Sequence, residues 1–163
     1  MNGQSAAILR PARKDDARSL ARLWHDAWHD AHARIVPEQL VMARVPGSFS
    51  RRIVGKIPTC TIAEIDGEPV GFCVITGEEL ESMFVDKAAR GTGVAELLMA
   101  DGEVRLGEKG VVTAQLYCVH GNDRAYRFYE KNGWVDIGDY DDIIELRGGT
   151  VTVPCHHFEK KLR

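Results

Sequence analysis

Residues 79–106 restrict the fold of this chain more than any other segment. Glu79 to Val85 (ELESMFV) reads as an extended strand, and from Gly93 to Leu106 the residues Ala95, Leu98, Met99, Gly102 and Leu106 share one helical face. A strand that feeds a helix through a short loop containing Gly91 and Gly93 belongs to an α/β arrangement. Gly102, lacking a side chain, permits that helix to lie close on a sheet.

The flanking sequence supplies further elements. Ala7 to Ala12 (AILRPA) reads as a short strand ended by Pro11, and residues 1–5 as a frayed end. Leu20, Leu23, Trp24, Ala27, Trp28 and Ala31 recur at helical spacing behind Asp15, a suitable N-cap. Pro37 suits the first turn of a second short helix, and Ser48 can cap a third that ends near Gly55. Thr59 to Ile65 and Pro69 to Thr76 flank Asp66-Gly67, a hairpin signal. Val111 to Val119 is another strand, Asn122 caps a helix through Lys131, and Gly133 stops it. Trp134 to Gly138 and Thr150 to Phe158 read as two final strands around an acidic and then glycine-rich loop. No repeat or low-complexity linker interrupts the order, so residues 1–163 are expected to form one α/β domain.

The chemistry concentrates at the junction VDKAARGTGVAELLM. A helix N-terminus exposes unpaired N–H groups and the positive end of the helix dipole, which favours a phosphate. Gly91 and Gly93 let a pyrophosphate approach the backbone, and Arg90 adds positive charge. No Lys followed by Ser or Thr closes the loop, which excludes a Walker A motif, and GxGxxG breaks at Glu96, which weakens a dinucleotide fingerprint. Arg90 to Ala95 (RGTGVA) instead resembles the R/Q-x-x-G-x-G/A signature of the GNAT superfamily of acetyl-CoA-dependent N-acyltransferases. NDRAYRFYEKNGW, Asn122 to Trp134, resembles that family's N-x-x-A-x-x-F-Y-x-x-x-G-F motif, with Trp134 in place of the usual Phe. The opening ILRPARKDDARSLARLW, the hairpin at Asp66-Gly67 and the tail HHFEKKL are similar to the family's first strand and helix, its strands two and three, and its last strand.

The resemblance implies a mixed, mostly antiparallel sheet with flanking helices, in which strands four and five splay into a notch for the pantetheine arm. It implies that the strand segment Met83, Phe84 and Val85 bonds the arm and thioester through its backbone, chiefly at Met83 and Val85. Arg90, Gly91, Thr92, Gly93, Val94 and Ala95 would hold the pyrophosphate, and Asn122 would contact the arm. Tyr129 would stand near the sulfur as general acid. By spacing alone Tyr129 is equally a core aromatic, and Asn122 a plain N-cap.

Alternation places Glu79, Glu81, Met83 and Val85 on one strand face, so a carboxylate there can take a proton from an ammonium substrate. Glu81 is the preferred base, with Glu79, His120 or water as the alternatives and a salt-bridged role as the plain reading. His25, Asp26 and His29 spell HDxxH, followed by His32, a pattern two histidines could use for a metal. The apolar partners Trp24 and Trp28 assign that helix to a core instead, and no metal is expected. Cys118 with His120 and Cys155 with His157 each put a thiol and an imidazole on one strand face. Asp139, Asp141 and Asp142 form an acidic loop whose plain reading is a solvated surface; the resemblance implies that it borders the acceptor side, where its charge would draw a cationic amine.

A formal charge of -3 gives no field for nucleic acid or an anionic membrane, and no apolar run reaches the ~20 residues of a membrane helix. The N-terminal sequence lacks the basic-then-apolar order of a signal peptide, and Cys60, Cys73, Cys118 and Cys155 are scattered in apolar runs. Reduced thiols and a cytoplasmic location are expected. The function these features imply is direct acetyl transfer from acetyl-CoA to a primary amine of a small molecule, peptide or protein. A non-catalytic acyl-CoA-binding regulator is the alternative, and pairing into a homodimer is compatible with either.

Overall fold

The computed structural model describes residues 5–163; most of the end read as frayed lies outside them. Seven strands form one sheet in the order β1-β2-β3-β4-β5-β7-β6. They are β1 (Ile8–Pro11), β2 (Cys60–Ile65), β3 (Glu68–Thr76), β4 (Glu79–Val85), β5 (Thr113–Val119), β6 (Val135–Leu146) and β7 (Gly149–Lys161). Every neighbouring pair is antiparallel except β4 with β5. The expected mixed, mostly antiparallel sheet is therefore present.

Helices cover both faces. On one lie α1 (Ala17–His32), α2 (Glu38–Ala43) and α3 (Pro46–Ile53), and on the other α4 (Val94–Glu108) and α5 (Asp123–Lys131). The first core packs Leu20, Trp24, Phe49 and Ile53 against Ile62, Phe72, Val74 and Val153. The second packs Leu98, Met99 and Leu106 against Cys73, Ile75, Leu116 and Phe158. A side chain at Gly102 would meet the Cys73 sulfur at 3.0 Å and Leu80 at 3.2 Å, so α4 sits where only glycine fits easily.

Three local expectations are corrected. The residue before α1 is Asp16, not Asp15, at the end of a 3-10 turn over Lys14–Asp16, and its side chain caps no helix N–H. Its carboxylate accepts the Arg13 N–H at 2.6 Å and grips Arg10 with two bonds of 2.7 and 2.8 Å. Arg10 also binds Glu64 on β2, tying the start of α1 to the sheet edge. Helix α3 begins at Pro46, whose fixed φ suits a first turn, so Ser48 is buried inside the helix and caps nothing. The acidic stretch is not a loop. β6 runs through Asp139, Asp141 and Asp142, paired to His156, Pro154 and Val153 of β7, and the chain turns only at Arg147-Gly148. Pairing along a long hairpin overrides the low strand preference of Asp, and an outermost strand tolerates charge.

The Arg10 grip holds the Asp16 carboxyl down to about 2, from an ordinary 3.8. A lowered carboxyl stabilises the fold above its unfolded value, and this contribution fades as pH falls through the folded one. Asp16→Asn should therefore cost about 1 kcal/mol at pH 7, after screening by water around Arg10. Urea titrations should show the gap to wild type closing as the pH approaches 2. A pH-independent gap would mean that the lost bonds do not depend on charge.

Candidate functional site

Strand β4 ends at Val85, and the Asp86 carboxylate accepts the Ala88 N–H at 3.2 Å to start a 3-10 turn over Lys87–Ala89. The Thr92 hydroxyl donates to the Ala89 carbonyl and fixes the loop. Gly91 (φ 77°) and Gly93 (φ 85°) then take left-handed conformations that would cost another residue about 1–2 kcal/mol each. A side chain added at either would meet no protein atom within 4 Å, so the space above the loop is open. The N–H groups of Gly91, Thr92, Gly93, Val94 and Ala95 find no partner among the described residues, and the first bond of the helix runs from Leu97 N–H to Gly93 O at 3.2 Å. Five free donors at the positive end of α4 form an anion cradle.

Cations border it. Arg90 is bound to Asp30 of α1, with Lys87 at 3.9 Å and Arg124 at 4.0 Å from the same carboxylate. The Arg90 hydrogen bond, above all, holds Asp30 below the ordinary carboxylate range. Three cations thus gather on the single Asp30 carboxylate beside the cradle.

Beside the cradle the sheet opens. Strands β4 and β5 are in register only at Glu79 and Gln115, where Gln115 N–H donates to Glu78 O at 3.0 Å, and they separate beyond. On its other side β4 stays paired to β3 as far as Val85. Asp86 N–H donates to Val70 of that side at 2.7 Å. Since backbone groups alternate along a strand, Phe84 turns its groups the same way, and Met83 and Val85 turn theirs to the gap.

A cleft of about 970 Å³ passes through this gap. On the α4–α5 face it is lined by Gly91, Gly93, Val94, Ala95, Asn122 and Tyr129, and on the α1–α3 face by Trp28, His32, Arg44, Arg52, Glu79 and Asp142. Asn122 caps α5, its Oδ1 accepting the Ala125 N–H at 3.3 Å, while also lining the cleft. The Tyr129 ring lies 5.6 Å from Phe158 and 5.8 Å from Phe128, and burial pushes its phenol above the ordinary range.

The two strand carboxylates differ. Val74 faces Ser82 and Ile75 faces Leu80, so Glu81 is the extra residue of a β-bulge. The inserted residue shifts the alternation: Met83 and Val85 join the α4 core, whereas Glu81 bonds Lys56 and Glu79 senses Asp142. The four residues expected on one face thus lie on two. Burial raises the Glu81 pKa, but bonds from Lys56 and from the Thr76 hydroxyl (2.7 Å) outweigh it and hold the carboxyl low. Glu79 has no hydrogen-bonding partner among the described residues; burial, then the charges of Glu81 and Asp142, push its carboxyl up.

The remaining thiols and imidazoles sort by sheet face and by local partners. Cys118 belongs to the α4-side core and Cys155 to the α1-side core, so the two thiol faces are opposite. His157 donates to Gln115 at 2.8 Å, while His120 stacks at 4.0 Å on His156 and donates to Asp139 at 3.1 Å. His120, Asp139 and His156 are the metal-capable group among the described residues. In HDxxH, His29 gives its Nε2 proton to the Arg44 carbonyl at 2.6 Å, and His25 stays with Asp26. Of the acidic stretch, Asp142 lines the cleft and Asp139 and Asp141 do not. The sequence reading missed Arg44, Arg52 and Tyr117, since no local spacing marks them as cleft residues.

Residues 56–136 match the model of the acetyltransferase (GNAT) domain family. The chain is 28% identical over 146 residues to the peptidyl-lysine N-acetyltransferase YjaB of Salmonella typhimurium, covering 83% of this chain and 89% of that one. The protein of the same name from Escherichia coli is 27% identical over 143 residues, covering 83% and 88%. Among solved structures, an N-acetyltransferase from Staphylococcus aureus Mu50 superposes with a TM-score of 0.75 at 21% identity, over 98% of this chain and 100% of the other. The PaiA N-acetyltransferase of Thermoplasma acidophilum, in complex with coenzyme A, superposes at 0.73 and 18% identity over 96% and 99%.

Proposed function

The chain belongs to the GNAT superfamily of N-acetyltransferases, and from that premise we propose that it transfers an acetyl group directly from acetyl-CoA to a primary amine, within one acyltransferase domain. The observation that carries this reading is the cleft itself, which links five free N–H donors on one sheet face to an unpartnered carboxyl on the other through the β4–β5 gap. The N–H groups of residues 91–95 suit a pyrophosphate, and the edge groups of Met83 and Val85 suit the amides of a pantetheine arm.

In this reading Glu79 takes the proton from the ammonium, and the neutral amine attacks the thioester carbonyl. Backbone donors at the β4 edge steady the oxygen. As the C–S bond breaks, the Tyr129 hydroxyl gives its proton to the departing sulfur, and the second proton shed by the new amide nitrogen restores the phenol through solvent. Glu81 is the weaker base because Lys56 and Thr76 already occupy its lone pairs. A thiol relay has no support: burial pushes Cys60, Cys73, Cys118 and Cys155 up to about 12. Such thiols carry almost no thiolate at neutral pH.

Two measurements test the proposal. Thiol release from acetyl-CoA should require an added amine, read across amines, amino acids and peptides; acetyl-CoA binding with no release to any acceptor would sink it. Coenzyme A at ~100 times its dissociation constant should also stabilise the protein by about 2.7 kcal/mol. Gly93→Val fills the space above the loop and strains a φ of 85°, so its dissociation constant should rise about tenfold or more, halving the thermal shift. An undiminished shift in a folded variant would move the phosphate site elsewhere.

A further inference from the structure

The α1–α3 half of the cleft holds two arginines that the transfer step does not use. Arg44 follows α2 and Arg52 lies in the last turn of α3. Both line the cleft, and Arg44 Nε and Arg52 Nη1 are buried without a hydrogen-bond partner. Neither side chain forms an ion pair among the described residues, although its neighbour Lys56 does, with Glu81. The Arg44 backbone and the Arg52 side chain are nonetheless held in place. His29 pins the Arg44 carbonyl, and the Arg52 guanidinium lies over the Trp24 ring at 4.3 Å and near Phe49 at 5.5 Å. Stacking occupies the flat face of a guanidinium and leaves its edge donors free.

Two desolvated cations repel each other, and burial pulls both below the ordinary arginine range, Arg52 to about 10. An anion between them would relieve the repulsion and satisfy the orphaned donors. The cofactor's pyrophosphate is not that anion, because its cradle lies at the α4 N-terminus on the other face of the sheet. Three carboxylates share this half. Glu81 is taken by Lys56 and Thr76, whereas the carboxyls of Glu79 on β4 and Asp142 on β6 bond nothing among the described residues. Asp142 acts on Arg44 through its charge without forming an ion pair. The acceptor half therefore offers free carboxylates to an ammonium and orphaned guanidinium donors to a carboxylate.

We propose that the acceptor is a free amino acid or similar amine-carboxylate, whose carboxylate is held by Arg44 and Arg52 while its amine faces Glu79. The inference rests on the acetyl-transfer reading given above. A lysine inside a peptide presents an ammonium on an aliphatic stem and brings no anion to the arginine pair, so it would leave those donors unsatisfied.

The test compares matched acceptors at saturating acetyl-CoA: free L-amino acids, their carboxamides, and a lysine peptide with blocked ends. At least one acid should exceed its own amide about 30-fold in kcat/KM, the range expected for a charge-assisted pair. In Arg44→Gln, and separately in Arg52→Gln, that preference should collapse, with the loss falling mainly on KM for the acid. A retained coenzyme A melting shift shows that each variant is folded. Amides or the lysine peptide turned over as well as the acids would overturn the proposal, as would variants that slow acid and amide alike. Calorimetric binding of N-acetyl amino acids to the coenzyme A complex separates the two readings without turnover. Binding that needs both arginines, with no thiol release to any amine, would keep the carboxylate site and reject acetyl transfer. Neither binding nor preference would reject the site.

Discussion

Replacing Tyr129 with phenylalanine should slow acetyl transfer about a hundredfold while coenzyme A affinity changes little. The ring keeps its packing against Phe158 and Phe128, and only the hydroxyl is lost, so the fold should survive. Burial raises the phenol above its ordinary value, so it stays protonated through the working range and is always ready to donate. The sulfur it would serve departs as a thiolate of a thiol with a pKa of about 8.5, already a tolerable leaving group. Protonation is thus helpful without being indispensable, which places the effect at the low end of the ~100- to 10,000-fold span for acid–base groups. A hundredfold loss is about 2.7 kcal/mol of barrier. Turnover measured beside calorimetric coenzyme A binding decides the matter. Unchanged turnover removes Tyr129 from the chemistry, and collapsed affinity makes its hydroxyl a binding group.

The sequence carried the outline of this fold where a local rule and the tertiary context agree. Asp66-Gly67 demands a tight hairpin, and the observed φ values of 53° and 80° are the positive pair that such a turn requires. The glycines at 91 and 93 announced a left-handed loop before a helix, which is what stands there. Failures came where a partner strand decides. Strict alternation along β4 assumed no insertion, but the β3 register adds one residue at Glu81 and moves both glutamates to the other face. Asp139 to Asp142 resembles a loop in isolation and becomes strand only because β7 lies beside it. Arg44 and Arg52 sit on separate short helices, and only the folded chain shows that both reach one cleft. The gap between β4 and β5 was legible only through family resemblance, since nothing in either strand's own pattern forbids continued pairing.

The bulge at Glu81 also leaves two glutamates of unequal basicity on the acceptor face. Glu79 opens β4 at the position paired with β5, beyond which the gap begins, and its carboxyl is unpartnered among the described residues. Burial raises its pKa, and the charges of Glu81 and Asp142 add to the effect. A carboxylate with a raised pKa is a stronger base than one held low, and Glu81 is held low. Glu79→Gln should therefore reduce turnover about a thousandfold near neutral pH, roughly 4 kcal/mol of barrier. Glu81→Gln, which frees Lys56, should cost far less. The wild-type rate should fall on acidification with a midpoint above the ordinary Glu value of about 4.3, and the Gln variant should lose this limb. Linkage gives stability the opposite sense. Folding penalises ionised Glu79, so that contribution to stability is full below the unfolded pKa and is lost as pH rises through the folded one. The Gln variant should consequently be no less stable than wild type at pH 7, separating a lost base from a damaged fold. A pH profile that keeps its acid limb in Glu79→Gln, together with a large loss in Glu81→Gln, would transfer the role to Glu81.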